Sequence, residues 1–343
     1  MAKLTLYLFG KHSKRTPFAY QSYRSIFEKR FDYSTDPFKA DVILTGFIKD
    51  FNDDKELIHQ IKSKNPSSKL VVISEEPVWD TIWTPNFARR IVEITCFDKS
   101  YTVHQINHYN SNVFEFSSYP YYLTTHNRFF TRYCSILKTA SKYSEQDILT
   151  VWNSAPYKIS FIAEKRLSDN YAKSYPEQNT WGLSKFRTDL ALNFTGQNNL
   201  VEGKGWHSKQ PRQDLPDWHL DKLVKLNKAS TFISAIENTY YKTYVTEKLF
   251  DAYACLGIPV YVGGAEHGIR KIIKHKSWID LYGLNPKEAF DKIDSFVPNS
   301  EFVQAYIQEL QNLATHFSDS FTYISEREQF SERFSQLLHC LEV

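Results

Sequence analysis

Cysteine is scarce in this chain, and its four cysteines, Cys96, Cys134, Cys255 and Cys340, form no C-x-x-C pair. No disulfide framework can be read from that spacing, and a reduced, intracellular protein is the expectation. A run of about 18 apolar residues, the length a membrane-spanning helix needs, is also missing. The first ten residues have the pattern of an opening β-strand rather than a signal peptide. A cytoplasmic protein is therefore expected, although a catalytic domain cut from an anchored parent would look similar. Low-complexity tracts, heptad runs and fixed-period repeats are absent. The formal net charge is only +3, with Lys and Arg interleaved among Asp and Glu. That pattern argues against a nucleic-acid binder and is compatible with peripheral contact at a membrane surface. One N-x-T sequon occurs, at Asn193, and carries no meaning in a cytoplasmic protein.

What is present is bulk. The 343 residues are 42% hydrophobic, with 25 Phe, 22 Tyr and 7 Trp. Such a length suits two domains of about 150 residues each. Most of those rings belong in cores; exposed ones would suit stacking on sugars or bases.

The first half alternates strand and helix. Strands are expected at residues 3–9, 40–48 and 69–74, with helices at 20–31 and 53–65. Leu70-Val71-Val72-Ile73 is continuously apolar, as a buried parallel strand should be. Residues 77–124 offer short strands and Tyr-rich loops, followed by a helix at 128–141. At Asn153-Ser154-Ala155-Pro156 the pattern resets, which places a domain boundary between residues 153 and 154. Beyond it, helices are expected at 181–194, 217–228, 247–256, 268–274 and 286–295. Strands are expected at 157–163, 200–204, 231–236, 258–262 and 278–282, and two amphipathic helices, 299–316 and 324–340, close the chain. Parallel strands with helical crossovers give an α/β fold of two facing domains with a ligand cleft at their strand ends.

The informative segment runs from residue 237 to residue 264. Thr246 reads as an N-cap, with Val245 and Phe250 as a hydrophobic staple. Leu249, Tyr253 and Leu256 fall at helical spacing, and Gly257 stands where a left-handed C-cap is wanted, just before Pro259. Glu247 and Lys248 thus occupy the first turn of a helix that follows a parallel strand. Free N–H groups and the helix dipole favour an anion there. Lys248 could meet a pyrophosphate or simply face water. Glu247 could accept hydrogen bonds from sugar hydroxyls or be an ordinary first-turn acid.

Glu237, Asn238, Tyr244, Val245, Thr246, Glu247, Lys248, Leu249, Ala252, Pro259 and Gly263 stand as in the signature of the α-1,3/4-fucosyltransferases, glycosyltransferase family 10, which this segment resembles. The resemblance is strongest over residues 230–265 and faint in the N-terminal half. It implies the GT-B arrangement, two Rossmann-like parallel-sheet domains facing across a cleft with C-terminal helices. It also implies GDP-fucose as donor, held mainly by the C-terminal domain (154–343), an acceptor glycan held by residues 1–153, and inversion at the anomeric carbon. A general-base glutamate is implied just after a strand, where Ser74-Glu75-Glu76-Pro77 offers Glu75, with Glu76 as its neighbour. A phosphate-binding arginine is implied in Ser184-Lys185-Phe186-Arg187, as Arg187, with Lys185 the competitor. The remaining donor-binding residues carried over are Glu237, Asn238, Tyr244, Val245, Glu247 and Lys248. No Asp-x-Asp triplet occurs, so no cofactor or metal is expected. The chain end lacks the basic and aromatic heptads that some bacterial members carry. A bacterial enzyme of lipopolysaccharide or capsule synthesis is the expectation. The rivals are the same fold with another nucleotide sugar, and a non-catalytic glycan- or nucleotide-binding module.

Overall fold

The computed structural model of the chain describes residues 2–77, 86–196 and 198–341. It divides into two compact units, one of Met1–Asn127 with Phe321–Val343 and the other of Arg128–Ser320. Both are α/β, and each is built on a largely or wholly parallel sheet.

In the first unit, β1 (Leu4–Leu8), β2 (Phe31–Tyr33), β3 (Val42–Thr45), β4 (Lys69–Ile73), β5 (Ile91–Cys96) and β6 (Lys99–Ile106) lie in the order β2-β1-β3-β4-β6-β5. Neighbours pair in parallel except β5 and β6, an antiparallel hairpin that turns at Phe97, φ 58. Strand side chains alternate between faces, so each central strand feeds two cores. Val42, Leu44, Val71 and Ile73 join Leu6 and Phe27 on one face, while Ile43, Leu70 and Val72 join Phe51 and Ile58 on the other. This is why β3 and β4 read as continuous apolar runs.

Two expectations shift here. The expected helix 20–31 stops at Phe27, and Phe31–Tyr33 becomes an edge strand. Phe27 and Phe31 both enter the same core, so tertiary packing decides the conformation there. The C-terminal helix Ser320–His339 also returns to this unit. Its Phe330, Phe334 and Leu338 pack on the face of Leu6, Phe18 and Phe27. Each such side chain contributes about 1.5–3 kcal/mol on burial, enough to fix the helix there.

In the second unit, β7 (Tyr157–Ile162), β10 (Asn199–Glu202), β11 (Ser230–Ser234), β13 (Ile258–Tyr261) and β14 (Ile279–Asp280) form a parallel sheet in the order β10-β7-β11-β13-β14. A small antiparallel sheet holds β8 (Ser174–Tyr175), β9 (Thr180–Gly182) and β12 (Thr239–Tyr240). The expected helix 181–194 starts later, at Ser184, because residues 180–182 join this sheet. The expected helix 268–274 is a 3₁₀ turn, Gly268–Lys271.

The break expected at residue 153 falls at the end of the helix Glu145–Ser154, inside the second unit. That helix opens with a Ser144/Asp147 capping box. Near its end the Trp152 indole N–H donates to Leu256 O at 2.9 Å, and the ring lies 5.1 Å from that of Tyr306. These contacts hold the helix to the second core. The loop signal after it marks the entry to β7 instead. Among the described residues no helix is long and apolar enough to cross a membrane.

Candidate functional site

The chain leaves β11 and enters segment 237–264 with a buried carboxylate. Glu237 is 2% exposed. It accepts hydrogen bonds from the Thr246 amide at 2.7 Å, the Thr246 hydroxyl at 2.7 and 2.8 Å, and the Lys248 ammonium at 2.9 Å. Both Glu237 oxygens are therefore used in closing their own loop. Thr246 caps no helix, since its hydroxyl serves Glu237. The helix Lys248–Ala254 has Glu247 as N-cap, without a side-chain cap bond.

The far end of that helix also departs from expectation. The left-handed residue is Leu256, φ 61, not Gly257. Gly257 N donates to Ala252 O and Leu256 N to Tyr253 O, both at 3.0 Å, the pair of bonds that defines a Schellman cap. Gly257 is needed for closeness instead. A Cβ there would lie 2.5 Å from Ile233 Cδ1.

Glu247 is 4% exposed. Its Oε1 lies 3.2 Å from Lys222 Nζ and 3.7 Å from Lys248 Nζ. Its Oε2 is buried with no hydrogen-bond partner among the described residues. Burial pushes the carboxyl up, but Lys248 and Lys222 outweigh that and hold it well below the usual carboxylate range. Lys222 shows the converse. Burial alone would lower it, and Asp251 and Glu247 raise it above an ordinary lysine.

Arg187, on the helix Ser184–Asn193, sits where the chain enters the segment. Its Nη1 donates to Ile236 O at 3.3 Å, while its buried Nε has no hydrogen-bond partner among the described residues. Burial lowers its pKa, against the opposing pull of Glu237. The competitor Lys185 is engaged by Asp189 at 2.7 Å, one turn along the same helix. Asn238 O accepts from Leu183 N at 2.8 Å, which ties the segment to the start of that helix. Tyr244 and Val245 are buried at 5% and 2% exposure, so both reach any ligand only over a small edge. Tyr240 of the same segment stacks on Trp181, centroids 4.2 Å apart at 11°.

The first unit holds the other expected residue. Glu75 follows β4 and accepts hydrogen bonds from the Tyr20 hydroxyl at 2.6 Å and from the Tyr121 hydroxyl. Burial pushes its pKa up to about 8, against the lowering effect of Tyr121, Tyr20 and Arg15. The backbone carbonyl of Glu75 lies 3.0 Å from Nε2 of His108, whose pKa burial lowers to about 3. Glu76, the alternative, pairs with Arg15 at 2.6 Å. Of the two neighbours, Glu75 is the one held among phenols.

Sequence reasoning passed over Tyr20, Tyr121, Lys222, His219 and Asp251. Spacing could have flagged three of them. Asp251 is four residues after Glu247, and His219 and Lys222 are three apart on the helix Trp218–Leu226, both on its buried face with Leu223 and Leu226. Charged residues on a core-facing stripe rarely go unpaired. Tyr20 and Tyr121 reach Glu75 only through the fold and carried no such signal.

Comparison with known proteins agrees with the segment. Residues 201–338 match the sequence model of "Glycosyltransferase family 10 (fucosyltransferase) C-term". No curated protein matched the chain. Among solved structures, a "Crystal Structure of alpha1,3-Fucosyltransferase" is 16% identical over 94% of this chain and 92% of its own, with a TM-score of 0.46. A second, titled as the same enzyme with GDP-fucose, is 16% identical over 93% and 91%, with a TM-score of 0.40. The family match runs from within β10 to the C-terminal helix and includes all of segment 237–264, so over those residues the chain is similar to glycosyltransferase family 10, the fucosyltransferases.

Proposed function

We propose that this glycosyltransferase moves L-fucose from GDP-fucose to a hydroxyl of an acceptor glycan, with inversion at the anomeric carbon. The observation that carries the reading lies in the family segment and its approach. Arg187 Nε and Glu247 Oε2 are buried polar atoms without a hydrogen-bond partner among the described residues. A buried guanidinium donor suits a diphosphate oxygen, and a buried carboxylate oxygen suits a sugar hydroxyl.

In the reaction, Glu75 takes the proton from the acceptor hydroxyl. The acceptor oxygen bonds to C1 of β-linked GDP-fucose from the opposite face as the C1–phosphate oxygen bond breaks. The bonding pair leaves with GDP, and the product is an α-fucoside. Arg187 and Lys248 offset the charge that develops on the departing diphosphate. Glu247 and Asn238 orient hydroxyls of the donor, and Tyr244 packs along the nucleotide. Fixed cations supply what a metal ion supplies elsewhere, since no Asp-x-Asp triplet is present. The acceptor proposed is a GlcNAc- or Glc-containing oligosaccharide, fucosylated at O3, such as a lipopolysaccharide or capsule precursor. Its setting is the cytoplasm of a bacterium, with peripheral contact at the inner membrane face.

The test is release of GDP from GDP-fucose over N-acetyllactosamine, lactose and simple galactosides, with and without EDTA. Acceptor-dependent release that survives EDTA is expected. Release from another nucleotide sugar but not from GDP-fucose would keep the chemistry and replace the donor. GDP binding without turnover over any acceptor would leave a nucleotide-binding module.

A further inference from the structure

Three helices of the second unit place a group of buried charges against Glu247. Lys222 Nζ lies 2.7 Å from Asp251 Oδ2 and 3.2 Å from Glu247 Oε1. Asp251 Oδ1 accepts from the Tyr133 hydroxyl at 2.6 Å and lies 2.8 Å from His219 Nε2. Arg132 decides the histidine's roles. Its Nη1, which can only donate, is 3.0 Å from His219 Nδ1, so Nδ1 accepts and Nε2 donates to Asp251. Arg132 is held in turn by the Asp217 carboxylate. The side chains of Lys222, Asp251 and His219 are 8%, 0% and 0% exposed.

Such a group is a poor way to gain stability. Removing these charges from water costs several kcal/mol per ion, and apolar residues of similar volume often do as well. Its geometry has a different effect. Every cation near Glu247 approaches Oε1, and Oε2 is left buried and unmatched. We propose that Lys222 is a positioning residue: braced by Asp251, it fixes Oε1 of Glu247 and leaves Oε2 to accept a hydrogen bond from a hydroxyl of the nucleotide sugar. The inference rests on the donor-site reading given above and names the group that aims its carboxylate.

The test is a double-mutant cycle on ligand binding, since a purely structural lysine would give additive losses. Affinities for GDP and for GDP-fucose are measured by titration calorimetry for the wild type, Glu247→Gln, Lys222→Met and the double variant. Each single substitution is expected to weaken binding about tenfold or more, the scale of one lost buried charged hydrogen bond. The double variant is expected to lose no more than Glu247→Gln alone, and Lys222→Arg to keep most of the affinity. A loss seen for GDP-fucose alone assigns the hydroxyl to the sugar, and a loss for both ligands assigns it to the ribose; either supports the proposal. Additive losses overturn it, as does Lys222→Met or Glu247→Gln binding like the wild type. Should Lys222→Met fail to fold, Asp251→Asn removes the brace at nearly unchanged shape and takes its place in the cycle. A wild-type protein that binds neither ligand refutes the donor reading and this proposal with it, whereas wild-type binding with additive losses refutes the positioning role alone.

Discussion

Glu75 and Glu247 are glutamates in different units, the first half-buried and the second buried, and their pKa values move in opposite directions. Burial raises both. Around Glu75 the closest partners are phenol hydroxyls, which stabilise a carboxylate only modestly, and its pKa reaches about 8. Around Glu247 two ammonium groups stand within 4 Å, and its carboxyl is held low. The comparison teaches that neighbours, not depth, decide the direction of a shift, since the more deeply buried Glu247 is the one held low. A carboxyl near 8 is matched to taking a proton near neutral pH, whereas one held ionised is matched to accepting a fixed hydrogen bond.

The strongest way to break the comparison is to remove the proposed proton acceptor. Glu75→Gln keeps the shape and is expected to lower kcat by about 10²–10⁴-fold. GDP affinity should stay within about twofold of wild type, since the proposed donor residues lie in the other unit and a change that removes only a transition-state interaction leaves ground-state binding alone. Rate assays beside calorimetry check this. Equal loss of rate and GDP affinity would move Glu75 from base to donor contact.

Lys248→Met attacks the other half. It takes the cation from Glu237, which is 2% exposed, and leaves that carboxylate to the hydrogen bonds of Thr246. Breaking a buried pair from one side costs about 3–5 kcal/mol. A fall in chemical-denaturation stability of that order is expected, together with weaker GDP binding. Unchanged stability would show that Thr246 alone satisfies Glu237.

What the sequence disclosed of this contrast depended on locality. β3, β4, β11 and β13 were legible because buried parallel strands are short apolar runs. Segment 237–264 was legible because Glu237, Thr246 and Lys248 act on one another within eleven residues. The roles inside that stretch were not. Thr246 looked like a helix cap and serves Glu237 instead, and Gly257 looked like the left-handed residue that Leu256 turns out to be. Both patterns fit two backbones: hydrogen bonds to Glu237 engage Thr246, and Gly257 is where a Cβ would lie 2.5 Å from Ile233 Cδ1. Phe31–Tyr33 and the return of the C-terminal helix to the first core were invisible for another reason: each depends on partners far along the chain. The phenols on Glu75 come from 55 and 46 residues away, a distance over which no periodicity speaks.

Titration sharpens the contrast without a large loss of function. If Glu75 must be ionised to act, kcat/KM should rise with pH and level off above about 8. Tyr20 donates to Glu75 and so lowers its pKa. Tyr20→Phe should therefore move the inflection upward. Stability should run the other way. Folded Glu75 keeps its proton up to about 8, whereas the ordinary glutamate value is 4.5, so between those values the folded state binds the extra proton. The contribution of Glu75 to stability is full below about 4.5 and is lost as pH rises through about 8. Glu75→Gln, which cannot lose a proton, should flatten that slope. An activity profile with no inflection between 6 and 9 would separate the rate from Glu75.

The smallest effect is expected one residue away, and it bears on the choice between neighbours. Glu76 and Glu75 share a turn and a chemistry. Yet Glu76 pairs with an Arg15 side chain that is itself half exposed, with 25% of its own side chain in solvent. Exposed ion pairs are worth about 0–1 kcal/mol because water screens them and ordering two long side chains costs entropy. Glu76→Gln should therefore change stability by less than about 1 kcal/mol and, if Glu75 alone takes the proton, leave kcat within about twofold. One indirect path exists: Arg15 lowers the pKa of Glu75 and the charge on Glu76 raises it. Neutralising Glu76 should thus shift the pH inflection slightly downward, opposite to Tyr20→Phe. If Glu76→Gln instead abolished turnover while Glu75→Gln spared it, the base would be the residue paired with arginine. The half-buried, phenol-bound carboxyl would then be a structural acid.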